Sequence, residues 1–348
     1  MGRIVSTFVL ALMLVPTTSR AQQDLWGVVD VSASFLREKP DYSAELGDQA
    51  LMGAVVRVTG QESYWLKVVT HEPYNAWVVN GAVALMNRDD VHKYIESPKY
   101  IVTADNTHAY LERDPEGERV TDLVAGDLLL KVLDSKGKPV AKKGWVACMT
   151  PSGHSCWVSS KECEDFVSWK NSRKPDAYHI IATARQFLGV PYMWGGNSTK
   201  GVDCSGLTSA VFFQNGILLP RNSSQQANVG DEVDISEVRH GDFSALRPGD
   251  LLFFDNSRRG RVSHVAIYIG DGRIIHSSRQ CVGIYSLRKG DKDYYENSVN
   301  LISARRVIGS EDSGKGVISV GKSPYYFPGN GALGVDNSPR AVSLRRTT

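Results

Sequence analysis

Two apolar runs, Val265-Ala266-Ile267-Tyr268-Ile269 and Arg273-Ile274-Ile275-His276, are separated by Gly270-Asp271-Gly272. Strand-length runs around a Gly-Asp-Gly connection leave the chain little choice but an antiparallel hairpin. A three-residue connection pairs Ile269 with Arg273 and sets His264 opposite Ser278. His276 then lies on the same face as His264, diagonally across the strand pair at about 7–8 Å. A slip of one residue would turn the two imidazoles to opposite faces. The spacing therefore predicts a sheet that carries His264 as a proton acceptor and His276 as the group that holds its second nitrogen.

Such a pair needs a nucleophile to serve. Asp203-Cys204-Ser205-Gly206 precedes the apolar run Leu207-Thr208-Ser209-Ala210-Val211-Phe212-Phe213, which reads as a mostly buried helix ending at Gly216. A cysteine at a helix start meets unpaired backbone N–H groups and the positive end of the helix dipole. This position is expected to lower the thiol pKa below the free value of about 8.5. The same N–H groups can bind the oxyanion of a tetrahedral intermediate. Cys204, His264 and His276 thus form a candidate nucleophile, base and orienting group, the parts of a cysteine hydrolase acting through a thioester. With a helix over Ile180 to Leu188 and a further strand at Leu251-Leu252-Phe253-Phe254, this region is expected to be α+β.

The rest of the chain has a different character. Val28–Val31, Ala54–Val58, Trp65–Val69 and Ala76–Val79 have strand length, and a second stretch repeats the rhythm at Tyr100–Val102, Leu128–Leu133, Trp145–Cys148 and Cys156–Val158. Each stretch ends on a tryptophan-led strand, at Trp77 and Trp157. Two small all-β barrels in tandem are expected, with the polar segment Met86 to Lys99 as a helical turn or linker. At the N-terminus, Arg3, the apolar run Ile4 to Val15 and Ser19-Arg20-Ala21 have the pattern of a secretory signal peptide. The run is too short for the roughly 20 residues that span a bilayer, and no cysteine follows it for lipid anchoring. The predicted organisation is 1–21 signal peptide, 25–85 first β unit, 98–166 second β unit, 173–308 catalytic domain, and 309–348 a disordered or loosely packed tail rich in Gly, Ser and Pro.

Composition bounds the partners. A net charge of +2 gives no electrostatic case for nucleic acid or an anionic membrane. Five cysteines in an exported chain leave one over; Cys204 is the expected free thiol, and a Cys148–Cys156 bridge across a hairpin is one pairing among several. Cys148, Cys156, Cys163 and His154 lack paired zinc-ligand spacing, so neither metal nor cofactor is expected. A monomer is expected.

Tyr192-Met193-Trp194-Gly195-Gly196, Asp203-Cys204-Ser205-Gly206, Leu219-Pro220-Arg221-Asn222-Ser223-Ser224-Gln225-Gln226, Arg247-Pro248-Gly249-Asp250-Leu251, His264-Val265-Ala266-Ile267-Tyr268 and Ile275-His276-Ser277 resemble the NlpC/P60 family in order and spacing, over roughly Tyr178 to Val307. That family comprises papain-like cysteine peptidases of the bacterial cell wall, and the two β stretches resemble the SH3b domains that accompany them. One subgroup combines two such modules with the peptidase: the γ-D-glutamyl-L-diamino acid endopeptidases. The resemblance implies a peptidase of peptidoglycan stem peptides, with Cys204, His264 and His276 as triad and Tyr192 by the oxyanion. It further implies that Asp203, Ser205 and Ser223 line the substrate groove, and that Tyr74 helps bind the free amine of an N-terminal L-Ala. Two positions depart from that pattern. Gly47, with Asp48 and Glu45 adjacent, stands where an acidic residue normally meets the substrate ammonium, and Asn222 stands where relatives carry Asp. Two other functions stay open from sequence: an amidase or endopeptidase on intact wall, with the β units as anchors, or a catalytically silent wall-binding protein.

Overall fold

The computed structural model describes residues 25–330 and Leu333. The predicted signal peptide, residues 1–21, lies outside the described residues, as does the end of the tail. Three bodies follow one another along the chain.

The first is a seven-stranded antiparallel sheet of β1 (Leu25–Val29), β2 (Ala33–Arg37), β3 (Leu46–Leu51), β4 (Val55–Glu62), β5 (Trp65–Val69), β6 (Asn75–Val79) and β7 (Val83–Asn87), ordered β3-β2-β6-β5-β4-β1-β7. It encloses Val29, Leu36, Val56, Leu66, Val68 and Val78. A short helix, α1 (Arg88–Glu96), capped by the Asn87 side chain on the Asp90 N–H, occupies the polar linker. The second sheet contains β8 (Lys99–Val102), β9 (Asn106–Tyr110), β10 (Arg119–Val124), β11 (Leu128–Lys131), β12 (Ala141–Lys142), β13 (Trp145–Met149), β14 (Ser155–Ser159) and β15 (Cys163–Asp165). Trp77 pairs across to Arg37 and Trp157 to Tyr110, so the two closing tryptophans hold equivalent places in the two sheets. Cys148 and Cys156 are direct cross-strand partners, and both thiols are free in the structure.

The third body is the α+β unit. After α2 (Phe166–Ser172) and α3 (Ala177–Gln186) come the short strands β16 (Asn197–Ser198) and β17 (Gly201–Val202), then α4 (Cys204–Gln214), β18 (Ile217–Leu218) and α5 (Ser223–Gln226). A six-stranded sheet follows, with β19 (Asp231–Val233), β20 (Leu251–Phe254), β21 (His264–Gly270), β22 (Arg273–Ser278), β23 (Cys281–Ser286) and β24 (Leu301–Arg306) in the order β19-β24-β20-β21-β22-β23. One face packs Phe253, Val265, Ile267 and Ile275 against Leu207, Val211 and Phe212 of α4. The other buries Leu252, Phe254, Ala266 and Ile274. This two-sided burial explains why β20 and the first half of β21 read as unbroken apolar runs.

The tail is the main departure from expectation. Residues 309–330 are packed, not loose: β25 (Ile318–Ser319) pairs with β18, Val317 and Val320 are fully buried, and the Tyr326 ring lies edge-on to Phe166 and tilted against Phe213. A few widely spaced apolar residues dock on surface that the earlier domains have already built, a pattern that composition does not reveal.

Candidate active site

The hairpin holds the predicted parity with one local change. Ile267 faces Ile275 and Tyr268 faces Ile274, but a bulge near the turn pairs Gly270 with Arg273. Gly270, Asp271 and Gly272 all take positive φ, of 100°, 52° and 69°, and absorb the extra residue without altering the register beyond. His264 Nε2 and His276 Nδ1 lie 2.6 Å apart. The hydrogen bond commits Nε2 of His264, so only its Nδ1 remains for the thiol. With Nδ1 as proton acceptor, Nε2 carries the hydrogen and donates it to His276 Nδ1.

Cys204 opens α4, and Asp203 caps that helix by accepting the Gly206 N–H at 2.7 Å. Two glycines set the depth of the site. A side chain on Gly206 would strike the Gly196 carbonyl oxygen at 1.9 Å, and one on Gly195 would meet the Leu46 carbonyl of β3 at 2.6 Å. The Tyr192-to-Gly196 segment can therefore pass between the catalytic helix and the first sheet. Helix α4 packs on β21, and the Cys204 thiol faces the backbone N–H of Val265, the residue after His264.

The electrostatics run against the expectation for the thiol. Burial, aided by the charge of Asp203, pushes the Cys204 thiol up to about 12, and the N–H groups of Val265 and Ser205 only partly offset it. Burial likewise holds His264 down to about 4, although Asp203 favours its charged form. The helix start is present, but desolvation outweighs it. Both shifts favour a neutral thiol and a neutral imidazole over the ion pair.

Of the other sequence-predicted residues, Tyr192 is placed beside the thiol. Burial, then the proximity of Cys204, keeps its hydroxyl protonated and able to donate. Asp203, Ser205 and Asp48 all hydrogen-bond to one buried guanidinium. Arg221, 1% exposed, donates from Nε to Asp48 at 2.5 Å, from Nη2 to Asp203 at 2.7 Å, and from Nη1 to Ser205 Oγ at 3.0 Å. The guanidinium occupies these groups, and the Asp48 side chain is 1% exposed. Burial pushes the Asp48 carboxyl up against the pull of Arg221. Asn222 is the N-cap of α5, its N–H donating to Gln225 Oε1, and Ser223 is the first residue of that helix; both are half-buried. Tyr74 is half-buried beside Gly47, where an added carbon would lie 2.0 Å from the tyrosine hydroxyl. Lack of a side chain at 47 is what admits the ring.

Sequence reasoning gave no role to Arg221 or Gln226. Gln226, fully buried, donates to the Ser205 and Pro220 carbonyls and accepts from Thr208 Oγ1, pinning the first turn of α4. Both lie in the quoted 219–226 motif, and a charged or amide residue flanked by Pro and a helix cap was the available signal. A cleft with about 740 Å³ of empty space, mouth included, lies farther along α4 between the sheets, lined by Leu51, Ala125, Phe213 and Tyr326. Cys204 does not line it.

Fold and site together describe a papain-like cysteine peptidase with SH3-like sheets in front. Residues 189–300 match the NlpC/P60 family, and residues 32–84 match the bacterial SH3 domain. The chain is 30% identical over 246 residues to a gamma-D-glutamyl-L-lysine dipeptidyl-peptidase of Bacillus cereus, covering 68% of each. It is 28% identical to dipeptidyl-peptidase 6 of Lysinibacillus sphaericus, covering 72% of this chain and 87% of that protein. A crystal structure of an NlpC/P60 family protein from Bacillus cereus superposes with a TM-score of 0.67 at 26% identity, over 81% of this chain and 99% of that one. The chain belongs to the NlpC/P60 family and is a cysteine peptidase.

Proposed function

We propose that this peptidase is exported and hydrolyses the bond between γ-D-Glu and the diamino acid of peptidoglycan stem peptides, preferring a free N-terminal L-Ala. The observation that carries the reading is the first sheet's position against the catalytic helix. Leu46 packs at Gly195, Gln49 accepts hydrogen bonds from the Asn197 N–H and Ser198 Oγ, and Asp48 is bound by Arg221. A module fixed there limits the length of peptide that can extend beyond Cys204, which suits a dipeptide-releasing enzyme. The charges of Glu38, Asp48 and Glu45 surround the Tyr74 hydroxyl. Asp48 is occupied by Arg221, so the exposed Glu38 and Glu45 supply the negative field that an ammonium would meet.

In the reaction, the Cys204 sulfur attacks the amide carbonyl as its proton passes to His264 Nδ1. Because burial favours the neutral pair, attack and proton transfer are coupled. His276 holds His264 through Nε2, and the protonated His264 then gives its proton to the leaving amine. The α4 N–H groups and the Tyr192 hydroxyl face the oxyanion. Water then cleaves the thioester, releasing L-Ala-D-Glu.

The test is mass analysis of L-Ala-γ-D-Glu-diamino acid peptides, free and N-acetylated, alongside intact sacculi, with wild type and Cys204→Ala. Release of the dipeptide from the free peptide alone, abolished in Cys204→Ala, is expected. Equal cleavage of the acetylated peptide would remove the amine from the specificity. Cleavage of sacculi only would replace the proposal with a wall endopeptidase or amidase.

A further inference from the structure

His276 is fully buried, and among the described residues its Nε2 has no hydrogen-bonding oxygen or nitrogen within reach. If Nδ1 accepts from His264, that same Nε2 must carry a hydrogen. A buried donor without an acceptor is destabilising, so a partner is expected around it. Two aromatic rings supply it. Tyr285 lies with its centroid 4.9 Å from the His276 ring at 87°, and Tyr295 lies 4.7 Å away at 76°. Both are edge-to-face, the arrangement in which an N–H can point at a π-face.

The chain makes room for this arrangement. Gly283 is the direct cross-strand partner of His276, and Tyr285 is two residues along the same strand on the same face. A carbon added at Gly283 would meet the Tyr285 ring at 2.8 Å. Gly283 does not have positive φ, so its value is space, which lets the Tyr285 ring lean across toward His276. Tyr295 is fixed from the other side, its hydroxyl accepting from Asn256 at 2.8 Å and its ring set edge-to-face on Phe254.

We propose that Tyr285 and Tyr295 are positioning residues whose rings receive and shield the Nε2–H of His276, with Gly283 giving Tyr285 its place. The rings lock His276 in the tautomer whose Nδ1 lone pair faces His264. The third member of the triad is then a permanent neutral acceptor. It cannot accept a second proton, so the proton taken from Cys204 stays on His264 until the leaving amine collects it. The titratable groups against the pair are Cys204, Tyr285 and Tyr295, with Asp203 acting on His264 from the α4 cap. The inference rests on the triad assignment above, but its first readout needs no substrate.

The experiment is ¹⁵N NMR of the full chain labelled at histidine, with kinetics on the free stem peptide, for wild type, Tyr285→Phe, Tyr285→Leu, Tyr295→Leu and Gly283→Ala. Wild type is expected to show His276 as a single Nε2–H tautomer. Tyr285→Leu and Tyr295→Leu are expected to show mixed tautomers and to lose about tenfold or more in kcat with KM little changed. Tyr285→Phe, which keeps the ring, is expected to rescue both readouts. Gly283→Ala pushes the ring aside without emptying the core and is expected to shift the tautomer in the same direction. A single Nε2–H tautomer in both leucine variants and in Gly283→Ala would overturn the proposal, as would Tyr285→Phe behaving like Tyr285→Leu. If wild type cleaves no stem peptide, the substrate assignment fails, while the tautomer result still decides this inference.

Discussion

Arg221 is the residue whose replacement should tell most about how the site is held together. It joins Asp48 of β3 to Asp203, the cap of the catalytic helix, with the Arg221 and Asp48 side chains each 1% exposed and that of Asp203 10% exposed. In Arg221→Met the volume is largely kept, but two buried carboxylates lose their shared counter-charge. Removing one partner of such a group costs about 3–5 kcal/mol, because the remaining charge is left without water or partner. For a cooperative unit of about 300 residues that corresponds to a fall in Tm of about 5–8 °C. The loss should be local as well as global. Amide hydrogen exchange should quicken at β3 and in the first turn of α4, since the Asp203 cap and the seat of the first sheet fail together. Asp48→Asn in the Arg221→Met background should recover part of the loss, a coupling of about 0.5–3 kcal/mol. The reasoning is refuted if Arg221→Met melts within about 1 kcal/mol of wild type, or if Asp48→Asn costs the same in both backgrounds.

Burial holds His264 at about 4, below the ordinary histidine value of about 6.5. The base therefore stays unprotonated to lower pH, and the acid limb of kcat/KM should fall near pH 4; a limb near 6.5 would contradict the burial. The same depression makes stability fall as pH drops from about 6.5 through 4, because the unfolded chain takes up a proton that the folded one refuses, with about 3 kcal/mol at stake. Thermal melts across that window measure it. Gly47→Asp should not improve amine recognition: the new side chain collides with the Tyr74 hydroxyl, and overpacking of this kind costs about 1–3 kcal/mol. A raised KM for the free peptide and a lower Tm are expected, and a lowered KM would count against the placement of Tyr74.

The catalytic sheet was legible because β20, β21 and β22 are apolar on both faces and the Gly-Asp-Gly turn fixes parity. Cys204 was legible as a helix start because an Asp cap and an apolar helix surround it. Strand β3 was not: Leu-Gly-Asp-Gln-Ala-Leu has poor strand character, since its polar side chains face the peptidase domain instead of water or a core. The internal partner of Asp203 and Ser205 was hidden for a related reason. Their partner is a guanidinium 18 and 16 residues away, and only the fold reveals that it turns inward. At Cys204 the helix dipole that favours the thiolate can be read from sequence, but the desolvation that opposes it cannot.

The packed tail gives this molecule a direction in time. Val320 and Tyr326 sit in one cluster with Ile101 and Leu128 of the second sheet, Phe166 and Trp169 of α2, and Leu218 of the peptidase domain. Leu333 joins Trp26 and Val28 of the first sheet. These residues follow all three bodies in the chain, so the cluster cannot close until they have been made. A chain stopped before Val317 would contain Cys204, His264 and His276 and still lack a piece that packs against all three bodies. The SH3-like sheets are therefore not cassettes that could be lifted from this peptidase or exchanged between enzymes. Their seat depends in part on the tail that packs against them.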